Sequence, residues 1–296
     1  MNDQLNFHTN FTNDPNKREK LYPLFEKIFG IETSLLEDFY NRGLWNDQYV
    51  PYTYFDGEQA VANASIFPLD MQINGVRKKC VGIQSVMTDP VYRGRGLMKD
   101  LFKKILVDID KQYEYAFLFT ESPSLYTPFG FHVVKQYYFK IEYNHVPFNP
   151  PPKMKNLNLF NQEDVNILMN IFPHKEALSK KFAPLTYEHA LYFNFYSPNL
   201  NQKFYYIKEL NTIIVFEVNK GICRVFDIVS ETIPAIEELC AFIPFPFHTI
   251  EFYFSPDVFK LPHVEEIEYN TENHLMIRGQ LLLHGESFMM PLTAEF

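Results

Sequence analysis

At 296 residues the chain is longer than one average domain and suits two, and 46% hydrophobic residues with 30 phenylalanines provide for a sizeable core. A net charge of −9 excludes general nucleic-acid binding. No apolar run reaches the roughly 18 residues of a membrane span, and the N-terminus lacks the pattern of a secretory signal. Cys80, Cys223 and Cys240 are odd in number and far apart, which argues against a disulfide framework or a metal site and for reduced thiols in a cytoplasmic protein.

In chain order, "LNFHTNF" alternates like an edge strand, and "PNKREKLYPLFEKIF" and "SLLEDFYNRGL" follow as short helices. "YVPYTYF" and "AVANASIFPL" read as paired strands joined by the turn signal "DGEQ", and "CVGIQSVMT" (Cys80 to Thr88) as a half-buried strand. From Gly96 the apolar period becomes helical: Leu97, Leu101, Ile105 and Ile109 recur every four residues, widened by Met98, Phe102 and Leu106. "YEYAFLFTES" is the next strand, and "FHVVKQYYFKIEY" predicts a final strand pair.

Four prolines in "PFNPPP" forbid regular structure and read as a stiff linker. They divide a first domain (1–145) from a linker (146–156) and a second domain (157–296). In the second half, helical "QEDVNILMNIF" precedes a hairpin of "KFYYIKEL" and "TIIVFEV" turning at Asn211. Strand "GICRVFDIV", helix "IPAIEELCAFI" and strand "HTIEFYFS" follow, then late strands "HLMIRGQLLL" and "SFMMPLTAEF". The order strand–strand–strand–helix–strand–strand thus occurs twice, which predicts a duplicated α+β fold.

The stretch "DPVYRGRGLM" (Asp89 to Met98) lies where the first copy passes from strand to helix. From Arg77 to Lys104 there are eight basic residues against Asp89 and Asp100, a local positive patch in an acidic chain. A helix N-terminus has unpaired N–H groups and partial positive charge, and Gly94 and Gly96 let the backbone approach a ligand closely. With Arg93 and Arg95 adding charge, the stretch predicts a pyrophosphate cradle. It is neither a G-x-x-x-x-G-K-[ST] loop nor a G-x-G-x-x-G loop, because Lys99 stands where the third glycine would fall.

"VMTDPVYRGRGLM" resembles motif A of the GNAT (GCN5-related N-acetyltransferase) superfamily, [R/Q]-x-x-G-x-[G/A], with Arg93 and Gly96 in place and Met98 at the last position. "LYTPFGF" (Leu125 to Phe131) is similar to the Tyr-x-x-x-Gly-[Phe/Tyr] signature of the Eis-type branch, matched by Tyr126, Gly130 and Phe131. The resemblance is specific from about Gly82 to Val134. It implies two GNAT-like domains, each a mixed, mostly antiparallel sheet flanked by helices, the second degenerate because "VFDIVSETIPAIEEL" has neither glycine nor arginine at the loop. Eis-type proteins usually carry a further sterol-carrier-like domain, which 296 residues are too few to include.

Carried over, the backbone of Val86, Met87 and Thr88 would pair with the pantetheine arm of acetyl-CoA. The segment Gly94, Arg95, Gly96, Leu97, Met98 and Lys99, with Arg93, would hold its pyrophosphate, and Glu121 and Ser122 would border the arm. An amine would attack the thioester directly, with Tyr126 as general acid for the leaving thiolate. The C-terminal carboxylate of Phe296, as in Eis-type enzymes, or the side chain of Glu121 would be the base. The expected acceptor is a small amine, cationic given the overall charge; the alternative is a protein that binds or senses acyl-CoA without catalysis. No metal, nucleic acid or membrane is implied, whereas assembly into homo-oligomers, as Eis-type relatives assemble, is.

Overall fold

The computed structural model describes residues 5–158, 160–197, 199–280 and 285–296. In chain order the strands and helices are β1 (Asn6–Thr9), α1 (Pro15–Phe29), α2 (Thr33–Asn41), β2 (Val50–Asp56), β3 (Gln59–Pro68), β4 (Met71–Ile73), β5 (Val76–Lys78), β6 (Cys80–Thr88), α3 (Leu97–Ile109), β7 (Tyr115–Thr120), β8 (Phe131–Val133) and β9 (Tyr137–His145). The second half continues with β10 (Lys155–Asn156), α4 (Gln162–Ile171), β11 (Phe182–Pro184), α5 (Glu188–Asn194), β12 (Phe204–Ile207), β13 (Thr212–Asn219), β14 (Ile222–Val229), α6 (Ile236–Cys240), β15 (Phe247–Phe252), β16 (Glu265–Glu268) and β17 (His274–Arg278). Among the described residues no helix is long and apolar enough to cross a membrane.

Local chemistry sets the helix limits. Asp14 caps α1 by accepting from the Asn16 N–H at 3.1 Å, with Pro15 in the first turn, and Gly30 ends it at φ +68. The expected stripe of α3 is observed: Leu101, Phe102, Ile105 and Ile109 are at most 2% exposed and pack on the sheet beneath.

The first sheet has the order β1-β2-β3-β6-β7-β17-β8, antiparallel except for β6 and β7, which run parallel on either side of the α3 crossover. The second has the order β10-β12-β13-β14-β15-β9-β16, and its one parallel pair, β14 and β15, brackets α6. The duplicated plan is therefore visible in the topology.

Each sheet takes a strand from the other half of the chain. β17 lies between β7 and β8, and β9 lies between β15 and β16. The strand pair expected from "FHVVKQYYFKIEY" is thus not a hairpin, because alternation marks a half-buried strand without naming its neighbour. The link between β8 and β9 is tied to the C-terminal half by Val134 N–H to Leu275 (3.0 Å) and Tyr137 N–H to Phe288 (2.9 Å). A further sheet, β11-β4-β5, is antiparallel throughout and pairs Met71–Ile73 with Phe182–Pro184 from the other half of the chain. One core cluster accordingly joins Phe67, Cys80 and Phe117 to Leu168, Phe204 and Val215. Sheet membership crosses the Pro-rich segment at 146–156 in both directions.

Two late elements differ from expectation. Residues 287–296 form no strand but a 3₁₀ turn at Leu292–Ala294, and residues 281–283 of "HLMIRGQLLL" lie outside the described residues. Helix α6 is a five-residue piece of the longer helix expected.

Candidate active site

The site begins where β6 and β7 part. They pair only from Cys80–Gly82 to Tyr115–Phe117. Gly82 sits against the Phe67 ring, where a Cβ would approach within 2.3 Å of a ring carbon. Beyond it the β3–β6 register shifts between Asn63 and Ser65, and Ser85 takes φ +55, so β6 bulges away from its neighbours. A buried polar network fixes the bulge. Asn63 donates to the Ser85 carbonyl (2.8 Å) and to Ser65 Oγ (2.9 Å), and accepts from Thr53 (2.7 Å). An asparagine inside the apolar run "AVANASIF" was the sequence signal for this, and it was missed.

A cleft of about 680 Å³ opens between the diverging strands. Ser85 and Val86 line one side, Thr120, Glu121 and Ser122 the other, and Tyr126 lies beside them. Val86 is half-buried, and Thr88 ends β6 next to the loop; the Met87 side chain turns away into the core under α1.

The loop after β6 has the anticipated form. Asp89 caps the turn Pro90–Tyr92 through the Val91 N–H (3.1 Å) and pairs with Lys27 at 2.7 Å. Burial alone would raise the Asp89 pKa, but Lys27, the Val91 N–H and Arg93 outweigh it and hold the carboxyl below its ordinary value. Gly94 and Gly96 have φ of +76 and +78, and a Cβ on either would meet nothing within 4 Å. The first bond of α3 runs from Asp100 N–H to the Gly96 carbonyl, and no side chain caps the helix. The N–H groups of Leu97, Met98 and Lys99 therefore have no partner among the described residues. Arg93, Arg95 and Lys99 are exposed; Arg93 reaches the Thr88 carbonyl (3.3 Å), and Arg95 lies over the Tyr92 ring. Met98 is partly buried against the α3 core, so its side chain leaves the loop's open face clear. An open turn with exposed cations and unpaired amides fits a pyrophosphate.

The basic patch, however, is divided. Arg77 and Lys78 pair with Asp70 and Glu114 at the far end of β6, roughly 26 Å from Thr88 at strand rise. Only Arg93 to Lys104 belong to the loop and its helix.

Tyr126 is 6% exposed, beside Phe102 (5.4 Å between ring centroids) and Phe131 (6.5 Å). Burial pushes its phenol up, partly offset by Thr120, so it stays protonated and able to donate at neutral pH. The turn after it ends at Gly130, φ +84. Arg278 of β17 donates to the Phe129 carbonyl (3.0 Å) and pairs with Asp110 at the end of α3. A strand from the second half thereby holds the Tyr126 segment.

The C-terminus returns to this cleft. The Phe296 ring packs edge-on against Phe67 (4.8 Å) and Phe119 (5.4 Å). Asn194 Nδ2 donates to the carbonyls of Thr293 (3.1 Å) and Glu295 (2.8 Å), and the Thr293 hydroxyl donates to buried Asp227. Glu295 also lines the cleft; burial pushes its carboxyl up to about 7, opposed by Asn273. Glu121 is exposed at the rim. Neither Glu295 nor the aromatic wall of Trp45 and Tyr49 was singled out from sequence, because their proximity depends on the tail's path. No group of three or more His, Cys, Asp or Glu is placed to hold a metal among the described residues.

In the second sheet the corresponding strands β14 and β15 pair from Ile222–Val225 to Thr249–Phe252, and the next residues of β14, Phe226 and Asp227, are buried. The β13–β14 register shifts at Val215/Phe216, opposite Phe226. Asp227 there accepts from Tyr187 (2.8 Å) as well as from Thr293.

Residues 14–134 match the family model described as an acetyltransferase (GNAT) domain. Comparison with curated protein sequences gives no match. Similar solved structures include a conserved protein of unknown function from Enterococcus faecalis V583 (TM-score 0.58, 17% identity, covering 93% of this chain and 72% of that one). A GCN5-related N-acetyltransferase from Anabaena variabilis (0.55, 17%, 92% and 72%) and Eis1 from Mycobacterium abscessus (0.57, 14%, 93% and 73%) are others. At these identities the likeness is one of fold, and it spans both halves of the chain.

Proposed function

From the GNAT acetyltransferase domain that the chain carries at residues 14–134, we propose that this protein is an acetyl-CoA-dependent N-acetyltransferase acting directly on a primary amine. The observation that supports this most is the meeting, in one cleft, of the parted β6 and β7 with a buried, protonated Tyr126. In this reading the amides of Leu97, Met98 and Lys99, with Arg93 and Arg95, bind the pyrophosphate. The β6 backbone at Val86, Met87 and Thr88, left unpaired by β7, takes the pantetheine arm as an added strand would, bordered by Glu121 and Ser122.

The amine nitrogen attacks the thioester carbonyl carbon, and the tetrahedral intermediate collapses with cleavage of the C–S bond. Tyr126 gives its proton to the departing thiolate. The proton lost by the amine goes to the Phe296 carboxylate, whose segment is pinned by Asn194 and Asp227. Glu121, exposed at the rim, is the less shielded candidate.

A protein that only binds or senses acyl-CoA would need the loop and the parted strands but not Tyr126. Replacement Tyr126→Phe separates the two. It is expected to lower kcat about 10²-fold or more while the Kd for acetyl-CoA stays within twofold. Unchanged turnover would remove Tyr126 from the mechanism, and absence of thiol release by the unaltered protein with every amine tried would leave the binding reading.

A further inference from the structure

The walls of the cleft beyond the thioester differ from what a polycation would require. Among its lining residues the acidic groups are Glu121 on the exposed rim, Glu295, and the C-terminal carboxylate of Phe296, which the proposed transfer commits to the amine's proton. What dominates instead is aromatic surface: Phe25 and Phe29 from α1, Phe39 from α2, Trp45, Tyr49, and Phe193 from α5. Trp45 meets Tyr49 edge-on at 5.6 Å and Phe39 at 6.3 Å, and Phe39 meets Phe193 at 5.9 Å, so these four rings form one continuous surface, and Phe25 and Phe29, 6.2 Å from each other, line the same cleft.

Two further observations point to a ligand. Phe29 is 49% and Phe193 38% exposed at this cleft, large apolar side chains left uncovered in an acidic protein. Tyr49, 4% exposed, has a hydroxyl with no hydrogen-bond partner among the described residues, although Asn63, Ser65 and Ser85 are close. Mostly apolar walls with few polar groups are how a site selects a ligand that is itself apolar apart from one or two heads.

We infer that the acceptor is a monoamine with an aromatic or extended apolar body, which lies on the wall of Phe29, Phe39, Trp45 and Phe193 while its ammonium is received by the carboxylate of Glu295. The inference rests on the acetyl-transfer reading and narrows its acceptor. A polyamine or aminoglycoside carries several ammonium groups and would leave most of them unpaired against aromatic faces. The wall is built by α1, α2, α5 and the connection from α2 to β2 rather than by β6 and β7, so it belongs to the acceptor and not to the acyl arm.

Trp45 is the single tryptophan of the chain, so the free protein reports on its own cleft. The experiment titrates 2-phenylethylamine and spermidine against Trp45 fluorescence, then measures thiol release from acetyl-CoA with each, and from octanoyl-CoA for comparison. Phenylethylamine is expected to change Trp45 emission saturably and to be acetylated with kcat/KM at least tenfold above spermidine. Glu295→Gln is expected to raise KM for phenylethylamine at least tenfold, with kcat and the Kd for acetyl-CoA within threefold of the unaltered protein.

Equal or better use of spermidine overturns the inference while leaving acetyl transfer in place. So does a rate that rises with acyl length regardless of the amine, an unchanged KM in Glu295→Gln, or no saturable change at Trp45. Saturable phenylethylamine binding that Glu295→Gln weakens, with no thiol release, has the opposite meaning: the acceptor site stands and the transfer reading falls.

Discussion

A carboxyl group that titrates near neutrality in the folded chain, well above its ordinary range, leaves a mark on stability. Glu295 has its pKa pushed from 4.5 to about 7, chiefly by burial. Between those values the folded protein holds a proton that the unfolded chain has released, so stability falls as pH rises through this window and is level above it. The full effect is on the order of 3 kcal/mol. Glu295→Gln removes the titration and keeps the shape. Relative to the unaltered protein, the variant should therefore gain stability between pH 5 and pH 8, read as a rising difference in urea midpoint. Equal differences at the two pH values would mean that Glu295 is solvated and ionised in the folded state. At this scale the sequence was partly legible. The turns at Gly96 and Gly130 could be read because their motifs are local and their backbone demands are strict, and both glycines do take positive φ. Glu295 and Tyr49 could not, because nothing near them in the chain distinguishes them from surface or core residues.

Elements were easier to read than their partners. Residues 80–88 were expected as a strand and are one, a mostly apolar run that ends shortly before Pro90. What they do depends on contacts that no periodicity encodes: the bulge at Ser85 is set by Asn63, and the parting from β7 begins at Gly82. The small sheet of β4 and β5 was overlooked although Asn74–Gly75 between two short strands is a hairpin signal. Gly82 gives the parting a test. A methyl there overlaps the Phe67 ring, which in turn packs on the Phe296 ring, so Gly82→Ala must displace both or reopen the β6–β7 pair. A cost of about 1–3 kcal/mol is expected. Gly94→Ala is the control: its Cβ has open space, and only the φ of +76 opposes it, at about 1 kcal/mol. In urea melts the Gly82 variant should lose more stability than the Gly94 variant, and the Gly94 variant should lose more acetyl-CoA affinity. The reverse order would show that the Phe67 contact yields freely and that the loop tolerates a side chain.

For the whole molecule the decisive feature is the reciprocal transfer of β9 and β17. A chain cut within 146–156 yields two pieces, neither of which contains its own complete sheet. The first keeps β7 and β8 without the strand that lies between them, and carries β9 with nothing to pair. The second keeps β15 and β16 without β9. Unpaired edges of this kind are aggregation sites, and the core that joins Phe67 and Phe117 to Leu168 and Phe204 would be split as well. The cut itself costs little, because the segment is exposed: Val146 is 85% and Phe148 60% accessible. The two consequences separate cleanly in experiment. Limited proteolysis within 146–153 should leave both fragments together on gel filtration, with acetyl-CoA binding retained. Either fragment expressed alone should be insoluble, and co-expression should recover a soluble pair. A residues 1–145 fragment that unfolds cooperatively and binds acetyl-CoA by itself would refute this, since β7 and β8 would then have to close the sheet without β17. The exchange also explains why the half that carries the cleft cannot be read apart from its partner. The segment after Tyr126 is steadied by Arg278 through the Phe129 carbonyl, and the tail that brings Phe296 to the cleft is held by Asn194 and Asp227, so the second half completes the cleft of the first.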